Sequence, residues 1–355
     1  MIAVPQSAFA TSPRVSALGD RSRLVAIWLM TVAVLVLAMV VVGGATRLTG
    51  SGLSITEWKP LSGAAPPLTD RAWADLFRKY QATSQYRLIN QGLSLAAFKP
   101  LFWWEWGHRL LARAVGLVFA GPFVVLLVLR RVPPRLIWRC GLLLALGGLQ
   151  GLVGWWMVES GLEGRASVAP ERLAVHLGLA LALLMALVWT ALEAWTGPPD
   201  RREHRRLSGR WLYGLFAAGV FLQCLMGALV AGNGGGLVDN DWPLMGGRLT
   251  PDDYWRGGLW ATLAHGPSAA QFNHRLLAYA LLAGGAVLAL ASLRSGPGAL
   301  ARLALACLGL LTLQATLGVT TLLWGDPPAL ALAHQANAAI LLAAAAALAW
   351  RARRA

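Results

Sequence analysis

Charge is scarce in this chain. Only 13% of its 355 residues are Asp, Glu, Lys or Arg and 57% are hydrophobic, whereas a soluble domain carries about a quarter charged residues. The deficit excludes an ordinary water-soluble globule and indicates an integral membrane protein. Cysteine is nearly absent: Cys140, Cys224 and Cys307 each lie in or beside an apolar run, none in a CxxC. They support neither a disulfide framework nor a zinc site. Lysine is confined to Lys59, Lys79 and Lys99, so the 31 basic residues, set against 16 acidic ones, are nearly all arginine. The net charge of +15 does not signal nucleic-acid binding, because the arginines gather in short segments between apolar runs, as topology signals do.

Apolar windows of about 20 residues, enough to cross a bilayer, recur at 24–45, 104–129, 136–158, 173–195, 211–232, 270–293, 303–324 and 329–350. Eight spans place both termini on one side. Arg14, Arg21 and Arg23, then Arg130, Arg131, Arg135 and Arg139, then Arg201, Arg202, Arg205, Arg206 and Arg210, then Arg294 and Arg302, then Arg351, Arg353 and Arg354 all fall there. That is more than half of the basic residues, so this side is expected to be cytoplasmic. The first apolar run is too long for a signal-peptide core and reads as an uncleaved helix. On the opposite face lie two long connections, 46–103 and 233–269. The first holds an amphipathic stretch, Asp70–Gln81, expected as a surface helix. Glycines in GGATRLTGSGLS and AGNGGGLVDN predict turns with positive φ.

The chain repeats itself. His108-Arg109-Leu110-Leu111-Ala112 recurs 166 positions on as His274-Arg275-Leu276-Leu277-Ala278. Leu149-Gln150 with Gly154 recurs as Leu313-Gln314 with Gly318, and His176 has a counterpart in His334. GLSITEWKPLSG (52–63) is echoed by GLVDNDWPLMGG (236–247). Matches in one order at similar offsets indicate a duplicated unit. The expected fold is all-α, eight transmembrane helices as two parallel four-helix-bundle repeats. The expected division is a tail at 1–23, an N-terminal repeat at 24–195, a linker at 196–210, a C-terminal repeat at 211–350 and a tail at 351–355.

Of six histidines, His204 and His265 read as solvated loop residues. His108, His176, His274 and His334 each lie near the start of an even-numbered span, a few residues past its entry and so, at about 1.5 Å per residue, at one shallow depth on the side opposite the arginines. A single histidine at that depth is ordinarily an interfacial side chain. Four at one depth, paired within each repeat, suit two metals instead. Zinc asks for three or four ligands, and only Glu105 lies near in one half. A heme gripped by two axial imidazoles fits better, which makes His108 with His176, and His274 with His334, candidate iron ligands. Arg109 and Arg275 follow their histidines and, with Arg47, are candidate partners for heme propionates. The repeats differ in charge beside the histidines: Glu105, three residues before His108, is matched by Gln271 before His274. A carboxylate can take up protons or stabilise developing positive charge and an amide cannot. The N-terminal half therefore reads as chemically active, with Glu105 its catalytic group, and the C-terminal half as a redox-cofactor site.

The blocks GGATRLTGSGLSITEWKP, KPLFWWEWGHRLLAR, GGLQGLVGWWMVESGL, GALVAGNGGGLVDNDWPLM, QFNHRLLAY, LQATLGVTTLL and AHQAN cover nearly the whole chain. They resemble the heme A synthase family in its mitochondrial and proteobacterial form. The resemblance implies heme O as substrate and heme A for cytochrome oxidase as product, a ring methyl becoming a formyl group through two hydroxylations and loss of water. It implies that His108 and His176 hold the substrate heme, that His274 and His334 bind a heme b cofactor, and that Glu105 lies near the reacting methyl. It further implies a bacterial inner membrane, heme sites toward the periplasm, and as partners heme O synthase and an electron-transfer protein or quinone. Some members carry an outer-loop cysteine pair that this chain lacks, which argues against thiol-based electron transfer. Two rivals remain at this stage: a di-heme b-type electron-transfer cytochrome, disfavoured by one histidine per helix at a single depth, and a transporter, for which mid-span charges are missing.

Overall fold

The computed structural model describes residues 13–162, 164–197, 209–296 and 298–354; His204 and the linker arginines Arg201, Arg202, Arg205 and Arg206 lie outside them. Among the described residues, eight helices are long and apolar enough to cross a membrane. We number them α1 (Pro13–Leu48), α2 (Leu95–Val128), α3 (Pro134–Leu162), α4 (Pro170–Thr196), α5 (Trp211–Gly232), α6 (Pro267–Arg294), α7 (Ala299–Leu323) and α8 (Pro328–Ala352). Among the described residues there is no strand, only an isolated bridge between Met245 and Arg248. In lipid this is the economical solution, because a helix satisfies its own backbone groups.

Proline sets the entry of α4, α6 and α8, each of which begins at or beside Pro170, Pro267 or Pro328. The ring fixes φ where the missing N–H would have had no intrahelical partner. Helix α2 departs from this pattern. It starts at Leu95, nine residues before the expected boundary, because Ser94 caps it by accepting from the Ala97 amide at 3.2 Å. Its first turns carry Phe98 and Phe102 into an aromatic cluster with Trp73 and Tyr80 of the surface helix Asp70–Gln81. The Tyr80 and Phe98 rings stack at 5.0 Å. His108 consequently lies 13 residues into its helix, while His176, His274 and His334 lie six, seven and six residues in.

Helices of the N-terminal half touch in a ring, α1–α2, α2–α3, α3–α4 and α4–α1; those of the C-terminal half touch as α5–α6, α6–α7, α7–α8 and α8–α5. The halves meet where α1 packs on α8 and α4 packs on α5 and α8. Buried Leu181, Leu184, Leu342 and Leu348 fill this centre, and Ala339, Ala345 and Ala346 let the backbones come close. Outward residues such as Leu117, Val124 and Val128 are exposed and apolar, as a lipid-facing surface requires. One contact across the halves is unusually tight. A Cβ placed on Gly44 of α1 would lie 2.4 Å from Gln335 Oε1 of α8, and Gln335 Nε2 donates to the Val40 carbonyl at 2.6 Å. Arg47 also reaches across, donating to the Ala231 carbonyl at the end of α5.

Candidate functional site

Each of the four histidines leans on a glycine of the preceding odd-numbered helix. A Cβ on Gly43 would lie 2.9 Å from His108 Cε1, on Gly154 2.8 Å from His176 Cε1, on Gly227 3.2 Å from His274 Cε1, and on Gly318 2.8 Å from His334 Cε1. Only glycine lets an imidazole edge approach a helix backbone this closely. Three rings also meet a glutamine. Gln150 Nε2 lies 3.3 Å from His176 Nδ1 and donates to the His176 carbonyl at 2.9 Å. Gln223 Nε2 lies 3.0 Å from His274 Nδ1 and donates to the His274 carbonyl at 2.9 Å. Gln314 Nε2 lies 3.1 Å from His334 Nδ1, and Gln314 Oε1 accepts from Asn337 Nδ2 at 2.7 Å.

The His274 and His334 rings meet edge to face, their planes 69° apart and their centroids 6.4 Å apart. Two metal–imidazole bonds of about 2 Å each plus the two half-rings come to about 6 Å, so a metal fits between them. Among the described residues no group of three or more His, Cys, Asp or Glu could hold an ion. Two imidazoles with no third protein ligand match axial ligation of heme, whose macrocycle fills the other positions. They do not match a zinc site. The spacing of His274 and His334, each against a glycine, is therefore compatible with the group that the sequence implies.

One turn before the histidines the halves diverge in charge while keeping a common frame. Glu105 is 3% exposed. Its Oε1 accepts from Arg109 Nε at 3.0 Å and Nη2 at 2.6 Å, and its Oε2 from Ser54 Oγ at 2.8 Å and the Ile55 amide at 2.7 Å. In the other half Gln271 Nε2 donates to the Gly235 and Val238 carbonyls at 2.6 and 2.7 Å. Both residues fasten the long loop that follows the first helix of their half. The arginines do the same. Arg109 donates to the Glu57 and Ile55 carbonyls, and Arg275 to those of Leu244, Asp239 and Asp241. Adjacent residues on a helix point about 100° apart, so an arginine directly after its histidine turns toward the loop. Arg109, Arg275 and Arg47 thus already engage protein carbonyls. Out on the loops, Lys59 and then Lys79 hold the Glu57 carboxyl below its ordinary range. The Gly247 and Gly246 amides do the same for Asp241. His265 ends a π-helical turn, Ala261–His265, 3.9 Å from Glu171, apart from the four paired histidines.

The model of the cytochrome oxidase assembly protein family matches residues 26–346. A heme A synthase of Caulobacter sp. (strain K31) is 58% identical over 337 residues, covering 94% of this chain and 98% of its own length. The chain belongs to the heme A synthase family. Other members are alike at greater distance: the heme A synthase of Rhodopseudomonas palustris (strain BisA53) is 47% identical over 90% of this chain and 88% of its own. That of Brucella ovis is 45% identical over 94% and 93%. Within this member of the family, sequence reasoning missed the role of the glutamines. The Leu-Gln pairs at 149–150 and 313–314 served as marks of duplication, but a third copy, Leu222-Gln223 with Gly227, carries the same spacing. A glutamine four residues before a glycine places both on one helix face, the signal that would have found it.

Proposed function

We propose that this protein is a membrane oxidoreductase that converts heme O to heme A. The observation that carries the proposal is a difference in charge at corresponding positions of the two halves: Glu105 before His108, Gln271 before His274. In this reading residues 24–195 form the substrate half, with His108 and His176 as axial ligands of heme O, and residues 211–350 form the cofactor half, with His274 and His334 holding heme b. Heme b supplies electron transfer. Glu105 is the reactive carboxylate near the ring methyl. Since Arg109, Ser54 and Ile55 surround it, acting on substrate requires that it exchange at least one of these donors. The relatives' name and the buried carboxylate present in one half alone of the matched positions support this reading over a di-heme electron-transfer cytochrome. Arginine placement supports cytoplasmic termini, with the heme sites toward the periplasm; heme O synthase and a quinone or redox protein are the partners this reaction requires.

The test is purification from cells that make heme O, followed by extraction and mass identification of the hemes. Heme b together with heme O, a hydroxylated heme or heme A is expected; heme b alone at two per chain refutes the proposal. Glu105→Gln is expected to keep both hemes and lower turnover at least tenfold, within the range of a lost acid–base group. Wild-type turnover with both hemes bound would remove Glu105 from the reaction. Loss of the N-terminal heme would make it a brace of the loop only.

A further inference from the structure

The four cradles share a glycine and part company at the residue one turn before it. Counting back four residues from each cradle glycine gives Gln150, Gln223 and Gln314 on α3, α5 and α7, but Met39 on α1. His176 has its glutamine at Nδ1, and at His274 and His334 the glutamine lies across the ring edge, 3.0 and 3.1 Å from Nδ1 and 3.2 and 3.1 Å from Nε2. His108 Nδ1 is buried with no hydrogen-bond partner. A thioether is at best a weak acceptor, so Met39 cannot do what the glutamines do.

We propose that Gln150, Gln223 and Gln314 are positioning residues for His176, His274 and His334, and that His108, left without one by Met39, is the axial ligand that releases when the substrate heme exchanges. This rests on the reading above that the histidines ligate heme iron. Once Nε2 is given to iron, the ring proton sits on Nδ1 and needs an acceptor. At Gln150 and Gln223 the amide Oε1 is buried and otherwise unpartnered, and rotation of the amide brings it to that proton in exchange for the Nε2 bond to the histidine's own carbonyl; Gln314 makes the same turn in exchange for its bond from Asn337. A ligating histidine whose other nitrogen donates in this way is oriented and made more basic. The C-terminal half has two such ligands, as a resident cofactor needs. The N-terminal half has one firm ligand and one loose one, as a substrate that must arrive and leave needs.

The test uses the full-length protein in detergent with both hemes bound. Heme transfer to excess apomyoglobin is followed by absorbance, and each heme's reduction potential by titration. Met39→Gln is expected to slow transfer of the N-terminal heme by about ten- to a hundred-fold, the usual weight of such a partner. It should also lower that heme's potential, since a more basic imidazole favours ferric iron. Gln150→Met is expected to do the reverse at the same site, and Gln314→Met to release a C-terminal heme that otherwise stays. Unchanged rate and potential in Met39→Gln with both hemes bound overturns the inference. If that variant does not fold, an unchanged release rate in Gln150→Met overturns it equally. A wild-type protein that binds no heme refutes instead the function on which the inference rests.

Discussion

At the scale of single residues, the glycines on odd-numbered helices decide whether an imidazole can sit where it does. Gly318→Ala makes the point testable, because its two effects oppose. Alanine raises helix propensity by about 1 kcal/mol over glycine, yet its Cβ would stand 2.8 Å from His334 Cε1. Heme retention in the C-terminal half is expected to weaken on the order of tenfold while the heme-free protein melts no lower, read by heme absorbance and thermal unfolding. The histidines themselves were legible because four of them recur at matched positions of a duplicated chain. The fate of Arg109 was not. Its spacing of four from Glu105 allows an ion pair, but that the guanidinium also reaches the Ile55 and Glu57 carbonyls depends on how a loop folds back from half a hundred residues away. No periodicity records that.

At the scale of elements, spans were easy to place and their ends were not. Hydropathy located eight helices but put the start of α2 nine residues late, since its first turns are held by aromatic packing on Asp70–Gln81 and not by lipid. The loops obey different physics from the helices, and one consequence is pH dependence. Asp241 accepts from the Gly246 and Gly247 amides at 2.8 and 2.9 Å, which depress its folded-state pKa. A depressed carboxylate contributes stability that is fully present above the unfolded value of about 3.9 and lost as pH falls through the folded value. Hydrogen-exchange protection at Gly246 and Gly247 is therefore expected at about pH 6 and diminished at about pH 3, with the helices unaffected. In Asp241→Asn that pH dependence should vanish; a variant that retains it would show that another group governs the turn.

At the scale of the whole molecule, the two halves are joined through small residues at the meeting of α1, α4, α5 and α8. Gly44→Leu tests how far they act as one. The new side chain must displace Gln335 and break its bond to the Val40 carbonyl, an overpacking cost of about 1–3 kcal/mol. Although residue 44 belongs to the N-terminal half, the spectrum of the C-terminal heme is expected to shift, because Gln335 adjoins His334. A change confined to the N-terminal heme would show that the halves respond separately. Neither glycine's role is written in composition, since Gly43 and Gly44 look like any small pair in a membrane helix. Their neighbours give them weight: Gly43 lies against His108, and Gly44 against the residue next to His334. Under the proposed function, an electron passing between the two hemes would find in His108, Gly43, Gly44, Gln335 and His334 a route with two non-bonded steps joined by peptide bonds. Its length would be set by packed backbone, which would build the electronic coupling into the seam that holds the protein together.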